Sequence, residues 1–215
     1  TTLAELAGLY KDQGRYSDAE PLLKKVLLRH QKLLGEKHPS TITAINNLAE
    51  LFTSQGRYSE AEPLYKKAFY FSIKVQGANH PETLISALNL AGLYETLGRY
   101  SDAEPMYKKV LRLSQKNLGK KHPFTLSAFR SIAALYASQG LYSKSLSMNE
   151  KVLQISIEIL GEKHPETLSS LNNLGVSYMN SSRYSDAALL LEKGLRMNEE
   201  ILGEKHPNTL GSLSS

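Results

Sequence analysis

The chain of 215 residues contains no cysteine. Disulfides, thiolate metal sites and cysteine nucleophiles are excluded together, and a reducing, cytoplasmic setting is expected. No apolar run approaches the roughly 18 residues of a membrane helix, and no signal-peptide pattern opens the sequence, so membrane insertion is not expected. Neither charge sign dominates: 26 Lys and Arg face 21 Asp and Glu, a net of +5, with the signs interspersed. A nucleic-acid binder usually carries a basic stripe, so nucleic acid is not an expected partner. There is no glycine-rich phosphate loop, and no histidine stands near a Ser–Asp arrangement outside a repeated framework. The expectation is a protein without enzymatic activity or cofactor. What remains, at 41% hydrophobic and 22% charged residues, is ordinary globular usage.

The order within that composition is a repeat. Gly14-Arg15-Tyr16-Ser17-Asp18-Ala19-Glu20-Pro21 returns as Gly56-Arg57-Tyr58-Ser59-Glu60-Ala61-Glu62-Pro63 and as Gly98-Arg99-Tyr100-Ser101-Asp102-Ala103-Glu104-Pro105, each copy 42 residues after the last. Weaker copies begin at Gly140-Leu141-Tyr142-Ser143 and Ser182-Arg183-Tyr184-Ser185. A His-Pro pair keeps the same step at residues 38, 80, 122, 164 and 206. The repeats span approximately 1–38, 39–80, 81–122, 123–164 and 165–206, with a partial sixth at 207–215, in a single array.

Each period reads as two helices. Ile45, Leu48, Ala49 and Phe52 lie on one helical face, as do Leu171, Leu174, Gly175 and Tyr178. Pro39 suits a first helical position, His38 is held extended before it, and Gly56 suits the left-handed conformation that ends the helix. For the second helix, the Ser17–Glu20, Ser59–Glu62 and Ser101–Glu104 spacing predicts a capping box, with the following prolines in the first turn. The fourth and fifth repeats lack this box, and Gly194 falls inside a helix. These repeats are therefore expected to open first. One helix pair cannot bury its apolar face alone, so pairs must stack into an all-α solenoid.

These residues resemble the tetratricopeptide repeat. Leu3, Leu6, Ala7, Tyr10 and Ala19 follow that family's order, and Ala61, Ala103 and Ala187 hold its small crossing position, with Ser145 in the fourth repeat. The usual period is about 34 residues. A 42-residue period with Leu-Gly-x-x-His-Pro between repeats is similar to the kinesin light chain type, as is Ile45-Asn46-Asn47-Leu48-Ala49 with its echo Leu171-Asn172-Asn173-Leu174-Gly175. The resemblance implies a superhelix of antiparallel helix pairs whose first helices line a concave groove. It also implies that the matching asparagines bind the backbone of a captured protein or peptide segment.

The candidate residues follow. Asn47, Asn89 and Asn173 share one repeat position, with Asn46 and Asn172 beside two of them and Arg130 replacing that neighbour in the fourth repeat. Asparagine is a poor helix former, and its amide satisfies both donors and acceptors of an extended peptide; the alternative is that it bonds the backbone of the adjacent repeat. Arg130 suits a ligand carboxylate. The histidines recur too far apart to share an ion of about 2 Å ligand distance, so they are expected as caps and no metal site is expected. The dilysines at 24–25, 66–67 and 108–109 follow a glutamate and read as helix-face pairs. The tyrosines read as packing residues, including Tyr65, Tyr70 and Tyr107. Neither end has the polar character of a capping repeat, so a piece of a longer array is expected, with self-association through its ends as one outcome. The function expected is a protein-interaction scaffold for cargo or adaptor recognition. A module of a signalling or regulatory protein, or a self-assembling array, is the alternative.

Overall fold

The computed structural model describes residues 2–202, with side chains to residue 197; Thr1, His206-Pro207 and the partial sixth repeat lie outside the described residues. Ten helices follow one another, with no strand among the described residues: α1 (Leu3–Asp12), α2 (Tyr16–Leu34), α3 (Pro39–Ser54), α4 (Tyr58–Gln76), α5 (Pro81–Thr96), α6 (Tyr100–Asn117), α7 (Pro123–Ser138), α8 (Tyr142–Leu160), α9 (Pro165–Asn180) and α10 (Tyr184–Leu202). The chain divides into two compact halves, Thr1–Val110 and Leu111–Ser215, the boundary falling within α6. In the N-terminal half each helix packs on the next from α1 to α5, and α3 also touches α5; in the C-terminal half α7 to α10 pack in succession.

The odd-numbered helices from α3 onward start by one device. The extended His38, His80, His122 and His164 are N-caps whose Nδ1 accepts from the backbone N–H two residues on, at 3.1–3.2 Å, and proline fills the first helical position. The imidazole thus satisfies one of the orphan donors of the helix end. A buried threonine then locks the start to the preceding loop: Thr41, Thr83 and Thr125 each donate to a glycine carbonyl six residues back at 2.8 Å. Thr167, in the fifth repeat, is equally buried but has no partner for its hydroxyl. These helices end as expected, with Gly56 at φ 72°. Ser182 takes that left-handed place in the fifth repeat at φ 58°, a conformation that L residues adopt at a cost.

The capping box expected for the second helices is absent from α2 and α4. Helices α2 and α4 begin two residues earlier than that pattern requires, with Arg15 and Arg57 as N-caps and no side-chain cap bond. Ser17 and Ser59 therefore lie inside the helix, and Pro21, Pro63 and Pro105 stand at the sixth helical residue, beyond the free N–H groups, each forfeiting a ladder bond. The glutamate serves another purpose. Arg57 stacks on the Phe52 ring at 4.1 Å, forks onto Glu60 with two bonds of 2.7 Å, and reaches Glu20 of the preceding repeat at 2.7 Å. Arg99 repeats this on Tyr94, Asp102 and Glu62. Glu20 and Glu62 also receive Lys24 and Lys66, and the arginine and lysine donors hold both carboxyls below their ordinary range. In the fourth repeat Leu141 takes the arginine position, and α8 again has no side-chain cap bond.

Packing follows the predicted faces. Ile45, Leu48, Ala49 and Phe52 are buried, and Leu27 of α2 and Leu64 of α4 close over Ile42, Ile45, Ala68 and Phe71. Ser145, at the crossing position, donates to the Ala133 carbonyl at 2.8 Å. Tyr65 and Tyr107 are core residues, each 4% exposed, but Tyr70 is 55% exposed. Tyr142 and Tyr184 also face solvent. Tyr70 lies on the side of α4 opposite its packed face, where position alone does not distinguish an aromatic that packs from one that does not.

Candidate functional site

In the N-terminal half, consecutive asparagines of α3 part ways because successive helical residues point about 100° apart. Asn46 is buried: its Nδ2 donates to Ser86 Oγ of α5 at 3.1 Å, and Ser86 shares a 3.1 Å bond with Ser72 of α4. Its Oδ1 is buried without a partner. Asn46 thus ties three helices together. Asn47 and Asn89 are partly exposed, and neither side chain bonds another described residue.

In the C-terminal half, Arg130 repeats the Asn46 contact at the same step of 40 residues: Nη2 donates to Ser170 Oγ at 3.1 Å, and Ser170 neighbours Ser156 at 3.3 Å. The longer side chain leaves its guanidinium half-exposed, with only a 3.4 Å contact to Glu166. Asn172 is partly exposed and Asn173 fully so. The structure brings Arg130 and Asn173 to one cleft of about 210 Å³, shared with Asn149, Ser177, Val176 and Asn180. Three alanines of α7 form its wall, and Arg130 is the one charged residue among the described residues that line it.

The cleft exists because of Asn149, which the sequence reading passed over. Tyr65 and Tyr107 occupy the same repeat position and fill the equivalent space. Burial pushes the Tyr65 phenol up to about 12, the Thr53 hydrogen bond acting against it. Tyr107 is raised further by burial and by Glu95, whose carboxylate accepts its hydroxyl at 2.9 Å. Asn149 is too short to fill that space. Its Nδ2 donates to Ser177 Oγ at 2.7 Å, and Ser177 donates to the Asn173 carbonyl at 2.9 Å. The signal was available as a break in a tyrosine position. Chemically, the cleft offers a guanidinium for an acceptor and amides that both donate and accept.

The histidines that begin the first helices each cap their own helix, and among the described residues no group of three or more His, Asp or Glu could hold a metal ion. Among the described residues no helix is long and apolar enough to cross a membrane.

A family model described as tetratricopeptide repeat matches residues 1–72, 68–116, 84–156 and 124–200. Among solved structures the chain is similar to the nearly identical TPR-like repeats assigned to a kinesin light chain of Podospora anserina. Identity there is 27%, 92% of this chain and 93% of that one are covered, and the TM-score is 0.79. BtubC (BKLC) from P. vanneervenii is 24% identical, with 96% and 82% covered and a TM-score of 0.79. A Rap protein complexed with competence and sporulation factor is 12% identical, with 97% and 61% covered and a TM-score of 0.74. These last two show likeness of fold alone. Comparison with curated proteins found no match.

Proposed function

Because the chain belongs to the tetratricopeptide repeat family, whose members are generally protein–protein interaction scaffolds, we propose that it captures a peptide segment of a partner protein on its first-helix faces. The mode is that of kinesin-light-chain-like cargo or adaptor recognition, without catalysis. The observation that carries this reading is the state of the mid-helix amides. Asn47, Asn89 and Asn173 cost helix propensity, yet their side chains bond nothing among the described residues. An extended peptide has unpaired N–H and C=O groups that such amides satisfy. Arg130 supplies a cation beside Asn173, while Asn46 braces its neighbours from within.

The test is affinity capture of a partner, peptide mapping, and titration of the mapped peptide into alanine variants. Replacing Asn47, Asn89 and Asn173 should each weaken binding by about 0.5–1.5 kcal/mol and leave the melting temperature unchanged or higher. Unchanged affinity in the triple variant would remove these residues from the binding face.

A further inference from the structure

A recurring ion pair is reversed in sign at one loop. Glu36, in the loop after α2, pairs with Lys67 of α4 at 3.2 Å. Glu162, in the loop after α8, pairs with Lys193 of α10 at 3.5 Å. Both pairs span 31 residues. The same step from the loop after α6 joins Lys120 to Lys151, a lysine standing where the other loops place glutamate. Neither ammonium has a carboxylate partner among the described residues. In the corresponding loop after α4 the position is Ala78, which lines a small cavity with Lys109.

The two lysines line a cleft of about 370 Å³ within the C-terminal half, between the α6–α7 loop and α8. Lys121 also lines it, as do the Gln115 amide and the ring of buried Phe129. The one acid there, Glu158, is already engaged, receiving Lys121 at 3.2 Å and Gln154 Nε2 at 3.2 Å. Three ammoniums against one carboxylate leave the cleft with an excess of two positive charges. It shares no residue with the cleft of Arg130 and Asn173.

We infer that Lys120 and Lys151 form an anion site for a phosphoryl group, carried either by a free phosphate compound or by a phosphorylated segment of a partner. A multivalent anion replaces the missing carboxylate and bridges both ammoniums at once, which a singly charged ion does less well. Lysine acts here as a point charge, suited to phosphate oxygens without the bidentate geometry that arginine imposes. The amides of Gln115 and Gln154 add neutral donors at the mouth. An exposed site of this kind is weakened by salt.

The probes are inorganic phosphate, pyrophosphate, and a capped pentapeptide with a central phosphoserine beside its serine counterpart. Each is titrated into the isotope-labelled full chain at constant ionic strength, with amide shifts as readout. Pyrophosphate should move the Lys120, Lys121 and Lys151 backbone signals and the Gln154 side-chain signal. Lys120→Glu, which recreates the pair of the other loops, should weaken pyrophosphate at least tenfold and raise the melting temperature. Lys151→Gln should also lose the shifts, and Ala78→Glu should leave them unchanged. A phosphoserine peptide that outcompetes pyrophosphate identifies a phosphorylated partner as the source; the opposite order identifies a free phosphate compound. Shifts spread evenly over other exposed lysines such as Lys25 and Lys109, shifts surviving in Lys120→Glu, or none at all would each overturn the inference.

Discussion

The second and fourth repeats are built on the same positions and resolve them differently. In the second, Arg57 clamps its turn to Phe52, Glu60 and Glu20, and Tyr65 fills the space between the first helices. In the fourth, Leu141 stands in the arginine position and Asn149 in the tyrosine position. Each exchange removes a group that satisfied the protein itself and leaves room or polarity unspent: a cleft with Arg130 on its rim, and a turn without a guanidinium. The backbone is the same in both. Side-chain size at two points decides whether a repeat is closed by its own residues or open to another molecule's.

The largest expected effect comes from exchanging those two residues. Tyr65→Asn should open in the N-terminal half the cleft that Asn149 opens in the C-terminal half. Loss of a buried aromatic side chain costs about 3–5 kcal/mol, read as a drop in the denaturation midpoint. A loss below about 0.5 kcal/mol, the scale of an ordinary surface substitution, would mean that the tyrosine is not what closes the repeat. The reciprocal Asn149→Tyr should fold, since Ala134 faces it where Gly92 faces Tyr107, and a methyl there would lie 3.5 Å from the Tyr107 hydroxyl. It should also block binding at Arg130 and Asn173 while leaving Asn47 and Asn89 free to act.

The repeat, the helix pairs, the proline starts and the apolar faces were legible because each is written in spacing along one strand of sequence. The capping boxes were misread for a reason that spacing cannot supply. Ser-x-x-Glu satisfies a helix start or serves two other partners equally well, and only the position of Arg57 next to Glu20 decides. Asn46 was grouped with Asn47, although burial on Ser86 separates them. Gly194 stands out in the sequence only as a poor helix former; a Cβ there would come within 2.8 Å of Leu171 and 3.1 Å of Asn172, so its absence permits α10 to approach α9. Gly175 likewise makes room for Leu191. Close approach is a property of two segments at once, which a periodicity within one segment does not record.

Removing the clamp tests the other side of the comparison with a smaller effect. Arg57→Leu copies the fourth repeat into the second. It deletes two partly exposed ion pairs and a guanidinium–ring contact, so a small drop in the denaturation midpoint is expected, well below that of Tyr65→Asn. The loss should shrink in high salt, since the ion pairs are screened while the ring contact persists. A loss independent of salt would assign the clamp to packing on Phe52 alone.

The smallest effect is the pH dependence that the clamp imposes. Arg57 and Lys24 hold the Glu20 carboxyl down, and Lys66 and Arg99 do the same for Glu62, so both groups release their protons more readily folded than unfolded. The unfolded state therefore binds more protons in the acidic range, and stability rises with pH there. The contribution is fully present above the ordinary carboxylate value and is lost as pH falls from that value through the lower folded one. Both carboxylates are partly exposed, so the change is modest and sensitive to salt. Comparing melting temperatures of the parent and the Glu20→Gln, Glu62→Gln variant across that window isolates it. The variant should be less stable than the parent at neutral pH and should converge on it at the acidic end. A constant difference between the two proteins at every pH would show that the carboxylates act through shape and hydrogen bonding, not through their charge.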